Sequence, residues 1–224
     1  MRDRRSQIID AATALICRGG YAQTSVEDVI REAGLCGKSH FYHHFKSKEE
    51  LGYAVLQRQF QRFAELELAV LKDPLVPPLT RLERFIDVVI GAQEEPDECG
   101  AGCPFGNLSV ELAERHEGMR RELSRVFERW TRQLDALLYE ARDELEDGTD
   151  TERLAHTIVA TLEGAMLMSR VQRKAEITRG IGEQLKQFVT SCIRRREMVA
   201  ATSSAERSSA APPAPAGAAG GRAV

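Results

Sequence analysis

The stretch that decides the fold is Gly34-Leu35-Cys36-Gly37-Lys38-Ser39-His40-Phe41-Tyr42-His43-His44-Phe45-Lys46-Ser47-Lys48. It holds three of the chain's five histidines, together with three aromatic residues and three lysines. No carboxylate occurs from Ala33 through Lys48, although Asp and Glu together number 34 in the chain. This window therefore excludes negative charge while the rest of the sequence is rich in it.

The segments on either side predict two short helices joined by a tight turn. Val26, Val29, Ile30 and Ala33 have helical spacing, and Gly34 closes that helix. Its start is either the capping box Thr24-Ser25-Val26-Glu27 or the equally good Ser25-x-x-Asp28. A second short helix follows, over about Lys38 to Phe45. Two short helices around a glycine turn are typical of a helix-turn-helix, whose second helix lies in the DNA major groove.

A helix-turn-helix explains the missing carboxylates, because DNA phosphates repel them, whereas lysines release counterions on binding. Hydroxyl and imidazole groups suit base edges or the DNA backbone, and the tyrosine hydroxyl suits a phosphate. On this basis the phosphate contacts are Lys38, Lys46, Lys48 and Tyr42, the other contacts are Ser39, His40 and His43, and Phe41 and Phe45 face the protein interior.

Three other interpretations of this window are weaker. A basic, solvated helix face is the simplest of them. His40 and His44 have chelating spacing, but no third ligand is evident nearby, so we predict no metal site. Gly37-Lys38-Ser39 resembles the end of a phosphate-binding loop, but that motif requires glycine where Glu32 stands, and it requires a preceding strand.

Composition bounds the remaining possibilities. The net charge of −3 indicates no global polycation, so any nucleic-acid signal is local. The apolar runs fall far below the roughly 18 residues that a membrane span needs, and residues 1–6 lead into an amphipathic segment, unlike a secretory signal. Five cysteines without a regular framework are typical of a reducing cytoplasm rather than a disulfide scaffold. We expect a cytoplasmic protein without a membrane partner.

The whole chain predicts an all-α fold of about nine helices. A first helix carries Ile8, Ile9 and Ala12 on one face and stops at Gly19-Gly20. After the helix-turn-helix, the expected helices cover about 48–71, 79–93, 105–114, 119–145, 150–173 and 177–196. Residues 197–224 are rich in Ala, Ser, Pro and Gly and are predicted to be disordered.

Residues 7–51 resemble the DNA-binding domain of the TetR family of bacterial transcription regulators. The residues that carry the resemblance are Ile8-Ile9-x-x-Ala12, Gly19-Gly20-Tyr21, Thr24-Ser25-Val26-x-x-Val29-Ile30, Ala33-Gly34 and Lys38-Ser39-His40-Phe41-Tyr42-His43-His44-Phe45-x-Ser47-Lys48-Glu49-x-Leu51. One departure is a turn, Leu35-Cys36-Gly37, that is one residue longer than the family usually has.

The resemblance implies a DNA-binding domain over residues 1–51, in which the helix-turn-helix covers about 25–45, and a helical ligand-binding and dimerisation domain over 52–196. It implies double-stranded operator DNA as partner, contacted by Thr24, Ser25, Gly37, Lys38, Ser39, His40, Tyr42, His43, His44 and Lys48. It also implies a homodimer, and a pocket for a small-molecule inducer among the fifth to seventh helices. No cofactor is expected.

Small and apolar residues alternate in the last two predicted helices. Small side chains allow close approach between helices, so we predict that these helices form a four-helix interface between two copies. The residues assigned to it are Leu162, Gly164, Ala165, Met168, Leu185, Phe188 and Cys192. The alternative is an ordinary helix pair buried within one protomer.

Cys103 is expected just before the sixth helix, with Cys99 close by in a glycine-rich loop. A helix N-terminus lowers a thiol pKa, so this pair is a candidate oxidation or electrophile sensor. The stretch Gly102-Cys103-Pro104-Phe105-Gly106-Asn107-Leu108-Ser109-x-Glu111 resembles a TetR subgroup that includes the repressor of N-ethylmaleimide reductase. The alternatives are a cysteine that only packs in the turn, and a zinc site with His116 that lacks a fourth ligand.

The sequence thus predicts a transcription regulator, a repressor released from a palindromic operator by a small molecule or by modification of Cys103. We predict no catalytic site. An enzyme with Cys103 as nucleophile is the alternative of a different class, and it requires His116 or His156 within hydrogen-bond reach of the thiol.

Overall fold

A computed structural model of the protein describes residues 3–94 and 102–194, without the side chains of residues 66–68. Within these ranges the chain forms nine α-helices and no strand, as the sequence predicts. The helices are α1 (Arg4–Gly19), α2 (Val26–Glu32), α3 (Lys38–His44), α4 (Lys48–Leu71), α5 (Pro78–Glu94), α6 (Pro104–Leu112), α7 (Glu117–Glu140), α8 (Thr151–Gln172) and α9 (Glu176–Ser191). The tail, predicted to be disordered, and Cys99 lie outside the described residues.

The first three helices and the start of α4 pack around one apolar centre. Ile8 of α1, Val29 of α2 and Phe41 of α3 are each at most 1% exposed. Phe45 and Leu51 close the cluster from the α4 side, again at 1% exposure each. We call this unit, residues 4–51, the DNA-binding head. Its short helices depend on this shared burial, because isolated helices of seven residues are unstable in water.

The remaining helices surround a second apolar centre. Helices α7, α8 and α9 pack side by side, α5 lies against α7 and α9, and α6 lies against α7 and α8. Phe85 of α5, Leu134 of α7 and Leu162 of α8 are completely buried there. Helix α4 contacts α1 as well as α5 and α7, so it joins the two centres as the predicted connector helix.

Side-chain caps fix where several of these helices begin. Ser25 is the N-cap of α2, with the reciprocal capping box to Asp28, so the second of the two predicted boxes is the one that forms. Ser47 caps α4, and Asp150 caps α8, each by accepting the backbone N–H of the residue three positions on. The sequence therefore locates most helix starts to within about two residues.

Helices α7 and α9 end earlier than predicted, at Glu140 and Ser191. The residues that follow them meet, because the N–H of Glu146 donates to the carbonyl of Cys192 at 2.8 Å and Leu145 pairs with Ile193. Leu145 is 1% exposed. Burial of Leu145 in this turn competes with extension of either helix. The contact joins segments that are far apart in the chain, so local sequence does not predict it.

In the part of the chain that the structure describes, no helix combines the length and hydropathy that a membrane crossing requires.

Candidate functional site

The turn between α2 and α3 sets the angle between them. Gly34 follows the end of α2 with φ of +61°, in the left-handed region that favours glycine. The N–H of Leu35 then donates back to the carbonyl of Ile30 at 3.0 Å, which ties off the end of α2. The longer turn, residues 33–37, is thereby accommodated without loss of the helix-turn-helix arrangement.

Helix α3 separates its residues into an inner and an outer side, as the sequence predicts. Phe41 and Phe45 are buried, and their rings lie 5.9 Å apart inside the head. The outer side carries exposed hydrogen-bonding groups, from Lys38, Ser39, His40, Tyr42 and His43. His44 and Gly37 are partly exposed at the two ends of this side.

The three lysines of this region differ in their surroundings. Lys46 is exposed, and its ammonium forms no ion pair with any residue that the structure describes. Lys38 pairs with Glu27 at 2.5 Å, and this hydrogen bond raises the pKa of Lys38. Lys48 donates to the carbonyl of Ala22 at 3.2 Å, and burial lowers its pKa. Lys46 is therefore the lysine most available for a phosphate.

Two predicted DNA contacts have structural roles in this conformation. Thr24 is 6% exposed, and its hydroxyl donates to the carbonyl of Gly20 at 2.8 Å. Ser25 is partly buried and caps α2, and its hydrogen bonds hold the pKa of Asp28 below the ordinary value. The hydroxyls of Thr24 and Ser25 therefore stabilise the head, whereas the outer side of α3 remains exposed.

Comparison with known proteins identifies the family. Residues 8–55 match "Bacterial regulatory proteins, tetR family", and residues 78–197 match "Tetracyclin repressor-like, C-terminal domain". The chain belongs to the TetR family of bacterial transcription regulators. The resemblance inferred from the helix-turn-helix is thus confirmed. The exact domain limits near residues 51 and 196 stay a prediction.

TetR relatives match over most of their length. The HTH-type transcriptional repressor DhaR of Mycobacterium sp. (strain GP1) is 30% identical over 188 residues, which cover 83% of this chain and 88% of DhaR. The transcriptional regulator AcuR of Cereibacter sphaeroides is 29% identical over 191 residues, covering 82% and 84%. A TetR regulator from Chloroflexus aurantiacus J-10-FL has a similar crystal structure, with a TM-score of 0.78 at 27% identity, covering 85% of this chain and 96% of that one.

Cys103 has surroundings opposite to those predicted for a sensor thiol. It is the N-cap of α6, and its sulfur accepts the N–H of Gly106 at 3.4 Å. Burial, followed by the charge of Glu163, raises the pKa of the Cys103 thiol well above its ordinary value. The prediction of a lowered pKa was therefore wrong, because the helix N-terminus is outweighed by desolvation and by a carboxyl from α8.

The remaining cysteines lie in different settings. Cys36 is an exposed free thiol in the helix-turn-helix turn, and Cys192 is a partly exposed free thiol at the end of α9. Cys17 is disulfide-bonded, a bond that the expectation of a reducing cytoplasm without a disulfide scaffold did not include. Cys103 is a free thiol in this structure, and the proposed partner Cys99 lies outside the described residues, so a bond between them on oxidation stays a prediction.

The cysteine enzyme would need an imidazole base beside Cys103, and the described residues do not supply one. His116 lies edge-on against the ring of Tyr21, at 5.8 Å between centroids. His156 is exposed on α8 and bonds the carbonyl of Glu152 at 3.0 Å. The thiol's own polar neighbours are the backbone of Phe105 and Gly106 and the carboxyl of Glu163. Among the described residues no group of three or more potential ligands is placed to hold a metal ion, but the zinc alternative includes Cys99, which lies outside them and stays untested.

The structure divides the seven predicted dimer residues into two sets. Leu162, Ala165 and Leu185 are at most 3% exposed inside the protomer, where α8 packs on α9, so for them the alternative of a buried helix pair holds. The other four are on or near the surface: Gly164, Met168, Phe188 and Cys192. Leu167 and Val171, which lie on α8 with Gly164 and Met168, are 52% and 74% exposed. Together these six define the apolar α8–α9 face.

Two further residues escaped sequence reasoning. Trp130 is 2% exposed, its ring meets those of three phenylalanines, and its indole N–H has no hydrogen-bond partner in the described structure. Glu111 of α6 accepts hydrogen bonds from the backbone of Tyr21 and Ala22. The quoted motif includes Glu111 but does not reveal this role, and the partners of both residues, apart from Phe127, lie tens of residues away in the chain.

Proposed function

We propose that this regulator is a repressor that binds a palindromic operator as a homodimer and leaves it when a small molecule binds. The observation that carries the proposal is the outer side of α3, which presents hydroxyl, imidazole and ammonium groups in a stretch without carboxylates. Such a surface suits a polyanion, and two copies related by a twofold axis suit two half-sites. Its place of action is then the cytoplasm, where bacterial operators are.

Dimerisation is supported by the apolar α8–α9 face. Leu167, Met168, Val171 and Phe188 are each 46% exposed or more, on adjacent helices. Contiguous exposed apolar side chains are typical of interaction sites, and a self-complementary patch suits a twofold interface. The proposed four-helix interface therefore still consists of α8 and α9 from each copy, as in the prediction from sequence. Some of the residues assigned to it differ.

Replacing Lys46 by Ala tests the DNA contact. We expect weaker binding to all DNA sequences and a salt slope shallower by about one, because one phosphate contact is lost. Operator fragments are first recovered from random DNA by selection on the purified protein, and affinity is then measured from low to high salt. Lys72→Ala removes the same charge from the exposed C-cap of α4, away from α3, and should leave the slope unchanged. Equal slopes for all three proteins would contradict the assignment.

The inducer site is proposed around Trp130. Its ring lies 5.4 Å from Phe63, 6.0 Å from Phe85 and 6.5 Å from Phe127, between ring centroids. Phe105 of α6 joins this aromatic cluster through Phe63 at 6.1 Å. Ligand sites in proteins are mostly apolar and aromatic, with few polar groups that fix orientation. The unpaired indole N–H is such a group, so we propose an apolar inducer that carries a hydrogen-bond acceptor.

Because Trp130 is the chain's one tryptophan, its fluorescence reports directly on this site. We expect acetophenone to quench it at concentrations about tenfold lower than ethylbenzene, which has the same shape without the carbonyl acceptor. Trp130→Phe keeps an aromatic ring in the cluster but removes the indole N–H donor together with the five-membered ring, so the two compounds should bind it equally by calorimetry. Equal affinity of the two compounds for the wild type would contradict a role for the indole N–H.

A further inference from the structure

The turn between α1 and α2 is held by a carboxylate from the other half of the protein. The backbone N–H of Tyr21 donates to Oε2 of Glu111 at 2.8 Å, and the N–H of Ala22 donates to Oε1. Two successive N–H groups that converge on one anion form a nest, and charge-assisted hydrogen bonds of this kind are about twice as strong as neutral ones. Gly20 precedes them with φ of +88°, and a Cβ there would lie 3.0 Å from Glu111 Oε2. Glycine thus permits the close approach.

Lys48 holds the same turn from inside the head. Its ammonium donates to the carbonyl of Ala22 at 3.2 Å and lies 4.5 Å from the centre of the Tyr21 ring. Lys48 is the first residue of α4, four positions after His44, the last residue of α3. The turn therefore connects Glu111 of α6, on one side, to the base of the DNA-reading helix, on the other.

Other helices of the C-terminal half reach the same place. The ring of His116, which precedes α7, lies edge-on against Tyr21. The guanidinium of Arg170, on α8, donates to the carbonyl of Cys17 near the end of α1 at 3.2 Å. Of these contacts, only that of Glu111 places a full negative charge on backbone donors of the head.

We infer that Glu111 is a positioning residue for operator binding, because its carboxylate fixes the head against α6 and so sets the distance between the two heads of a dimer. This inference rests on the dimeric operator recognition proposed above. A dimer with rigid heads tolerates only one half-site spacing, whereas heads on a loosened attachment adapt to several. A residue that merely stabilises the fold has no such effect on spacing.

The test measures the affinity of wild type and Glu111→Ala for selected operators whose half-sites are moved apart or together by one and two base pairs. We expect the variant to bind the original operator about tenfold more weakly, from the lost charge-assisted hydrogen bonds. We also expect its affinities across the spacing series to agree within about threefold, whereas wild type should prefer one spacing by more than about tenfold.

Two further variants separate positioning from stability. Glu111→Gln keeps one acceptor oxygen but turns an amide N–H toward the second backbone donor, so its spacing preference should fall between wild type and Glu111→Ala. Glu114→Ala removes an equal charge from an exposed position three residues on, and it should behave as wild type. Thermal unfolding and light scattering establish that all variants are folded and have the same oligomeric state.

The outcomes distinguish this inference from the function on which it rests. A wild type that prefers one spacing, together with a Glu111→Ala variant that keeps the same preference, overturns the positioning role alone. A wild type that binds all spacings equally, or binds as a monomer, overturns the dimeric recognition and the positioning role together. A spacing preference that is lost in Glu111→Ala and retained in Glu114→Ala supports both.

Discussion

Replacing Gly164 by Arg should convert the dimer to a monomer and weaken operator binding by about 10²–10⁴-fold, because two linked half-site contacts become one. A Cβ at Gly164 would meet no atom within 4 Å in the protomer, so the new side chain has room until a partner approaches. A guanidinium held in the apolar α8–α9 face then costs several kcal/mol of desolvation. The measurements are light scattering and affinity for a selected palindromic operator.

Gly91→Arg is the matched control for this variant. Gly91 is an exposed helical glycine on α5, and a Cβ there also meets no atom within 4 Å. Both changes replace glycine within a helix and should raise intrinsic helix stability by up to about 1 kcal/mol, so neither should unfold the protomer. Loss of the dimer in both variants, or a Gly164→Arg dimer with full operator affinity, would refute the assignment of the α8–α9 face.

Helix α6 links the two sites proposed above. It carries Phe105, which joins the aromatic cluster of Trp130, and Glu111, which holds the α1–α2 turn. These residues lie six positions apart in one helix, which corresponds to about 9 Å along its axis. A short, rigid helix transmits a shift at one end to the other. We therefore expect an inducer that displaces Phe105 to move Glu111, and with it the DNA-binding head.

The opposite end of α6 is held by a second carboxyl. Glu163 of α8 lies against Gly106, where an added Cβ would clash with its Oε2. Burial raises the pKa of Glu163, and its Oε1 has no hydrogen-bond partner in the described structure. Cys103 therefore belongs to a packed, polar junction between α6 and α8. The rise in thiol pKa favours packing, rather than thiolate chemistry, as the role of Cys103.

Predictions from sequence were correct for features that depend on residues close together in the chain. The spacing of Phe41 and Phe45 predicted their burial, and Ser25 with Asp28 predicted the start of α2, because both depend on residues within one helical turn. The exposed side of α3 followed from the same periodicity. The family resemblance then supplied the rest of the architecture, from the connector helix to the α8–α9 pair.

Predictions from sequence were wrong for residues whose contacts lie far away in the chain. The pKa of Cys103 depends on burial and on Glu163, sixty positions later, and the environment of Lys48 depends on a turn 26 residues earlier. Leu162 and Leu185 were assigned to a dimer because apolar periodicity identifies a buried face without telling whether the covering helix belongs to the same chain. Such questions are settled by tertiary packing.

Replacing Phe41 by Ala should cost the head about 3–5 kcal/mol, the usual effect of removing a fully buried phenylalanine. Phe41 is completely buried and packs against Phe45, and the cavity left behind cannot be closed by a seven-residue helix. Far-UV circular dichroism during denaturation should show an early partial transition from the head. Operator binding should vanish, while the dimer proposed through α8 and α9 should persist.

Tyr42→Ala separates this effect from loss of a DNA contact. Tyr42 is 52% exposed, and its ring meets Phe41 edge-on at 5.2 Å between centroids, so its removal should cost less than about 1 kcal/mol of stability. Its hydroxyl is placed on the outer side of α3, so operator affinity should still fall, with the head folded. If Phe41→Ala unfolds no earlier than Tyr42→Ala, the inner and outer sides of α3 have been assigned wrongly, and the proposed DNA contacts must be reassigned with them.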